Sequence, residues 1–350
     1  MNLEKVLQEI KNYDGNKLRI MEVCGTHTSS IFKNGIRSML SPAIQLISGP
    51  GCPVCVTPSS YIDKAIEWSL QPNCILLTFG DMVKVPGRSK SLGDARADGA
   101  KVEIIYSPQE ALTKAAENPG NTYVLASVGF ETTIPAYSLL IEQMEKDNIT
   151  NIKLLTALRR VQPALEFICA TDQTIDAYIA PGHVSTILGS QAYSDLAQKY
   201  QKPFVVAGFE AEHILIGIYD LIKQVSNQCY EVHNLYPSLV KTEGNKTAMV
   251  YIDKYFEPGA AHWRGLGTMD DSGYYLRPQY QKYDAGSLNL LTENDDHVLS
   301  ACRCGEVVTG RINPNECPMF RKACTPLKAK GPCMVSAEGT CGIWYRFADR

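Results

Sequence analysis

Three groups of sulfur stand out among the residues that could do chemistry. The first is Glu22-Val23-Cys24-Gly25-Thr26-His27-Thr28. An apolar run precedes it, so Cys24 is expected at a strand's C-terminal end, beside a helix N-terminus. The helix dipole and amide donors there lower a thiol pKa and favour thiolate. His27 is near enough in sequence to serve as base or second ligand, although a buried cysteine before a Gly-Thr turn is the plainer alternative. The second group is Gly49-Pro50-Gly51-Cys52-Pro53-Val54-Cys55-Val56-Thr57-Pro58. A C-x-x-C in an α/β setting is either a dithiol/disulfide redox pair or half of a metal site. Its two glycines leave the backbone open to a ligand or partner. Both motifs follow neighbouring predicted strands, so Cys24 and the Cys52/Cys55 pair could converge. The third group crowds the last fifty residues: Cys302, Cys304, Cys317, Cys324, Cys333 and Cys341, nearly all beside Pro or Gly. A soft, all-thiolate set suits zinc or an iron–sulfur cluster. Zinc sites usually present paired C-x2–4-C knuckles, which this tail lacks. The last four cysteines are separated by six, eight and seven residues, which suits a larger cluster held by separate loops.

Weaker candidates sit on other predicted strand ends. Gly129-Phe130-Glu131-Thr132-Thr133 and Pro181-Gly182-His183-Val184-Ser185 place Glu131 and His183 where a cleft would form, as groups for proton transfer or polar binding. A single such Glu or His is more often a packing residue; the shared strand-end position carries the argument. Gly87-Arg88-Ser89-Lys90-Ser91-Leu92 has the composition of an anion loop but not the P-loop spacing, so no nucleotide is inferred.

The elements that must position these residues read as α/β. Eight runs, Lys17–Val23, Ala43–Ser48, Cys74–Phe79, Val102–Tyr106, Tyr123–Val128, Ile152–Thr156, Ala177–Ala180 and Phe204–Ala207, are almost continuously apolar, as strands buried on both faces of parallel sheets are. Amphipathic patterns at Ser59–Leu70, Ser107–Asn118 and Pro135–Asp147 alternate with them, which implies crossover connections. Gly-Phe-Glu at 129–131 recurs at 208–210, a weak sign of two similar halves facing a central cleft. The expected division is an α/β unit at 16–120 carrying Cys24 and Cys52/Cys55, a second at 121–235, and a loop-rich C-terminal iron–sulfur unit at 236–350. The helical pattern of 1–15 could join the last of these. Pro258–Asp284 reads as irregular.

Composition narrows the class. Of 350 residues, 45% are hydrophobic and 20% charged, enough apolar material for full cores without disulfide staples. Thirty-four basic against thirty-seven acidic residues give a net charge of −3, which argues against a nucleic-acid binder. No apolar run reaches membrane-spanning length. The first fifteen residues lack the basic-then-apolar order of a secretory signal, so a reducing cytoplasm is expected, where clustered cysteines bind metal or do redox chemistry.

Taken together, the motifs resemble the hydrogenase maturation protein HypD family. The likeness covers Cys24-Gly25-Thr26-His27-Thr28, the Gly49–Pro58 segment, Gly129–Thr133, Pro181–Ser185 and the tail from Cys302-Arg303-Cys304-Gly305 through Cys333-Met334-Val335-Ser336 to Cys341. It implies a scaffold for assembling the Fe(CN)2CO unit of [NiFe] hydrogenases, working with a HypC-type small chaperone and a HypE-type cyanide donor. It further implies a [4Fe–4S] cluster on Cys317, Cys324, Cys333 and Cys341, and a redox pair at Cys52 and Cys55. Transient iron would be bound at Cys24, with Cys52 and Cys55 as further candidate ligands, and His183 and Glu131 would lie in the cleft. Cys302 and Cys304 are left over by a four-thiolate count. A free-standing iron–sulfur thiol–disulfide oxidoreductase is the alternative, and a zinc-held binding module a more distant one.

Overall fold

The computed structural model describes residues 2–292 and 301–348; the stretch 293–300, within the expected 236–350 unit, lies outside the described residues. All eight expected strands form: β1 (Leu18–Glu22), β2 (Ile44–Ser48), β3 (Cys74–Thr78), β4 (Val102–Ile104), β5 (Thr122–Gly129), β6 (Ile152–Arg159), β7 (Ala177–Ala180) and β8 (Phe204–Val206). Three more follow, β9 (Val232–Asn234), β10 (Phe256–Trp263) and β11 (Gly267–Leu276). They build two sheets, ordered β2-β1-β7-β8-β9 and β10-β11-β6-β5-β3-β4. The first is parallel throughout, as is the β6-β5-β3-β4 part of the second. All four β7 residues and seven of eight in β5 are buried, as their continuous apolar runs require.

The strands do not sort by the intervals expected from the sequence. β1 and β2 leave β3 and β4 for the other sheet, where β2 pairs with β1 alone and β1 pairs with β7 across more than 150 residues, Ile20 opposite Ala177 and Glu22 opposite Ile179. Sequence proximity misled here because parallel strands are joined by crossovers, and nothing local fixes which sheet a strand enters. The N-terminal helix Leu3–Lys11 likewise lies away from the tail. Val6 and Ile10 pack under the first sheet, and Glu9 pairs with Lys223 on the helix Ala211–Ser226. Pro258–Asp284 is not irregular: β10 and β11 form an antiparallel hairpin that joins β6 through Gly273 and Tyr274. Its tight turn rests on Gly265 and Gly267, both at positive φ, so its glycines mark a hairpin corner.

Each sheet buries one face against its own helices. Ile20, Ile179 and Val205 meet the helices Gly25–Lys33 and Ala211–Ser226; Leu125 and Leu154 meet Ile134–Lys146. The remaining faces share one core that runs from Met21 and Ile47 through Val124 and Leu155, and it includes Cys52, Cys55, Trp263, Cys304 and Cys333. Within the first sheet, β1 leads to β2 on one side and abuts β7 on the other. That arrangement opens a crevice at the strand C-termini, the place where open α/β sheets bind ligands. Among the described residues, no helix is long and apolar enough to cross a membrane.

The loop after the helix Gly182–Leu188 is locked backbone to backbone. Gly189 has φ +85°, and a Cβ there would collide with the Thr242 carbonyl. Gly189→Ala is expected to cost roughly 1–3 kcal/mol, read as a lower urea midpoint with an unchanged m-value. An unaltered midpoint would show that the loop yields.

Candidate functional site

Cys24 sits where its motif predicts, as the extended N-cap of the helix Gly25–Lys33, just past β1. The turn is fastened from beneath by Glu22, a fully buried carboxylate. It accepts from the Thr28 hydroxyl at 2.6 Å and from the Cys24 amide at 3.4 Å. Burial pushes the Glu22 carboxyl up to about 7. From above, the tail closes over the same turn. Thr26 donates to Glu338 at 3.3 Å, and a Cβ on Gly25 would strike Glu338, so only glycine lets the two segments meet. Ser336 in turn donates to Asp81 at 3.0 Å.

A cavity of about 470 Å3 opens beside this turn, with Cys24, Gly51, Pro53, Phe130, His183 and Glu338 among its walls. It draws on loops after β1, β2, β5 and β7, hence on both sheets. Cys24 Sγ lies 4.0 Å from His183 Nδ1, and the His183 ring stacks on Phe209. The expected thiolate is not found. Burial pushes the Cys24 thiol up to about 11, with Glu338 adding to the rise, and the amide and hydroxyl donors of the turn do not offset it. A metal ion can displace a proton from such a thiol, because thiolate is the form that binds metal. His27 takes no part: it is fully buried, its Nε2–H donates to the Ala207 carbonyl at 3.2 Å, and desolvation pushes it down to about 4. The imidazole facing the cysteine comes from 159 residues away.

The C-x-x-C turn packs directly on this site, since Gly51 abuts the Cys24 backbone. Cys52 and Cys55 are joined in a disulfide, with Cα atoms 5.3 Å apart. Neither sulfur is therefore a thiolate donor in this state, and the expected Cys24/Cys52/Cys55 metal set is not assembled. Glu131 also departs from expectation. Its neighbours Phe130, Thr132 and Thr133 line the cavity, but its carboxylate is buried and accepts the Val161 amide at 2.9 Å at the start of the helix Val161–Thr171. Sequence reasoning missed Glu338. It is a tail residue whose partner Thr26 is 312 positions away, and only its place between Cys333 and Cys341 hinted at it.

The six tail cysteines line one pocket with Met319, Phe320 and Met334. Cys302 faces Cys304, and Cys333, 1% exposed, faces Cys341. Cys302 also bears on Cys324 and Cys333, so it lies amid the set and not beyond it. Among the described residues, no three Cys, His, Asp or Glu draw together around a point where one metal ion could sit. Six soft thiols around one apolar pocket are a donor set that zinc or an iron–sulfur centre could use.

A family model, HypD, described as the hydrogenase formation hypA family, matches residues 1–348. The hydrogenase maturation factor HypD of Escherichia coli (strain K12) is 41% identical over 335 residues, covering 95% of this chain and 90% of that protein. The hydrogenase expression/formation protein HupD of Azotobacter chroococcum is 38% identical over 337 residues, with 94% and 89% covered. The hydrogenase maturation factor HypD of Cupriavidus necator is 34% identical over 347 residues, with 96% and 92% covered.

Burial pushes the Glu131 carboxyl up to about 7. The folded chain therefore binds more protons than the unfolded chain between about pH 4.5 and 7. The stability that this group contributes is present below 4.5 and lost as pH rises through 7, on the order of 3 kcal/mol. Glu131→Gln should lose most relative to wild type at pH 4.5 and least at pH 8, measured by urea unfolding at each pH. Parallel curves would place the titration elsewhere.

Proposed function

The chain belongs to the HypD family of hydrogenase maturation factors, and from that membership we propose that it is the scaffold on which iron acquires cyanide and carbon monoxide before insertion into a [NiFe] hydrogenase. The observation that carries this reading is the Cys24–His183 pair at one cavity, with a disulfide turn packed against the cysteine's own backbone. Cys24 supplies one soft thiolate to the iron, and a HypC-type small chaperone docks over the cavity and supplies the other. His183 takes the thiol's proton as iron binds. A HypE-type partner brings cyanide to the same opening. The apolar walls keep water from low-valent iron, which strong-field ligands require. The work is expected in the cytoplasm, where thiols stay reduced.

The tail pocket is proposed to hold a [4Fe–4S] cluster, and its donor set fits: six soft thiols and no competing carboxylate among its lining residues. Such a cluster supplies single electrons. Opening Cys52–Cys55 to two thiols takes two electrons and two protons, so a cluster in reach of that pair makes the disulfide a place to collect them. The family resemblance assigns Cys317, Cys324, Cys333 and Cys341 as ligands. Cys302, set amid the group, is the rival that the geometry puts forward.

Anaerobic co-purification with the small chaperone, followed by infrared spectroscopy, tests the scaffold. Cyanide and carbonyl stretches are expected in the complex and absent with Cys24→Ala. Stretches that persist in Cys24→Ala would overturn the role of that thiol. A free-standing thiol–disulfide oxidoreductase shares the Cys52–Cys55 pair, but it would keep its activity in Cys24→Ala. Iron and acid-labile sulfide counted in six single Cys→Ser variants should fall by at least half in four of them and stay near wild type in two. A uniform response would argue against a four-ligand cluster.

A further inference from the structure

One buried cation is unused by the site so far described. Arg264 stands at the β10–β11 corner with 5% of its surface exposed. Its amide donates to the Val56 carbonyl at 2.8 Å, one residue past the disulfide. Its Nη2 donates to Ser59 and, at 3.3 Å, to the Pro86 carbonyl. The next residue, Gly265, packs backbone to backbone on Gly305, directly after Cys304, so closely that neither position has room for a Cβ. The backbone that carries the guanidinium is thereby fixed between the C-x-x-C turn and the Cys302–Cys304 segment of the tail pocket. Among the described residues its Nε and Nη1 have no hydrogen-bond partner, and no carboxylate pairs with it. An arginine stays charged, and a buried, half-satisfied charge is costly unless an opposite charge belongs nearby. The other arginine close to the pocket, Arg303, is paired with Glu306 and 41% exposed.

We infer that Arg264 is the fixed counter-cation of the six-cysteine pocket: a positioning residue that favours the more negative, reduced state of the centre held there. The inference rests on the cluster reading above. Four thiolates leave an iron–sulfur centre with net negative charge, and reduction adds one electron and no proton. A fixed positive charge in a medium of low dielectric therefore raises the reduction potential. Arg264 also lies within electrostatic reach of Cys302 and Cys333.

The test uses the full chain purified anaerobically as wild type, Arg264→Lys, Arg264→Gln and Arg264→Met. Iron and sulfide are counted, and the centre is titrated with dithionite under electron paramagnetic resonance. Arg264→Gln and Arg264→Met are expected to keep the cluster but to disfavour the reduced state about tenfold, equivalent to about 59 mV for one electron. Arg264→Lys should recover most of that shift. Loss of the cluster in Gln and Met but not in Lys would equally support a charge role. An unchanged potential in a cluster-bearing Arg264→Gln overturns the inference alone, and loss of the cluster in all three variants overturns it in favour of packing. A wild-type chain without iron and sulfide overturns the cluster reading and this inference together.

Discussion

The rest of this structure depends on keeping a sulfur out of water while leaving one side of it open. Cys24 is buried on three sides: by β1 and the Glu22 carboxylate below, by Gly51 beside it, and by the tail residue Glu338 above. Burial disfavours thiolate, so the thiol waits protonated up to about pH 11. Only a ligand that supplies compensating positive charge, such as a soft metal ion, makes the charged form favourable there. An exposed cysteine of lower pKa would be the better nucleophile, but it would also be open to oxidation and stray metals. The sequence motif pointed to an activated thiolate because it shows the amide donors and hides the walls.

Much of the fold was legible because its signals are local. Continuous apolar runs marked eight strands, and Cys24, the Cys52/Cys55 turn and His183 fell at strand ends where the structure has them. What was not legible is pairing. β1 joins β7 because Leu18, Ile20 and Ile179 complete the core beneath the first sheet, and that choice depends on residues more than 150 positions apart. For the same reason the helix of Leu3–Lys11 went to the wrong unit, and Glu338 was not seen as a neighbour of Cys24. Glu131 shows the converse. It stands just past a strand end in a motif with cleft residues on both sides, yet the turn directs its side chain inward to the Val161 amide. A motif fixes the backbone's course and not which of its side chains face the cavity.

The tail is where these two lessons meet. Its last fifty residues are poor in large apolar side chains, and the cysteine pocket is closed mainly by Met319, Phe320 and Met334. Such a segment holds its shape only by leaning on something else. It leans on the Cys24 turn through Thr26 and Glu338, on Asp81 through Ser336, and on the β10–β11 corner through the Gly265–Gly305 contact. The first and last of these contacts touch segments that carry or adjoin another sulfur site. Glu338 is the tail's own contribution to the Cys24 site: it walls the cavity and raises the thiol's pKa. With so small a core of its own, the tail takes much of its conformation from the segments it touches, and this is how a residue as distant in sequence as Glu338 comes to stand at the Cys24 cavity.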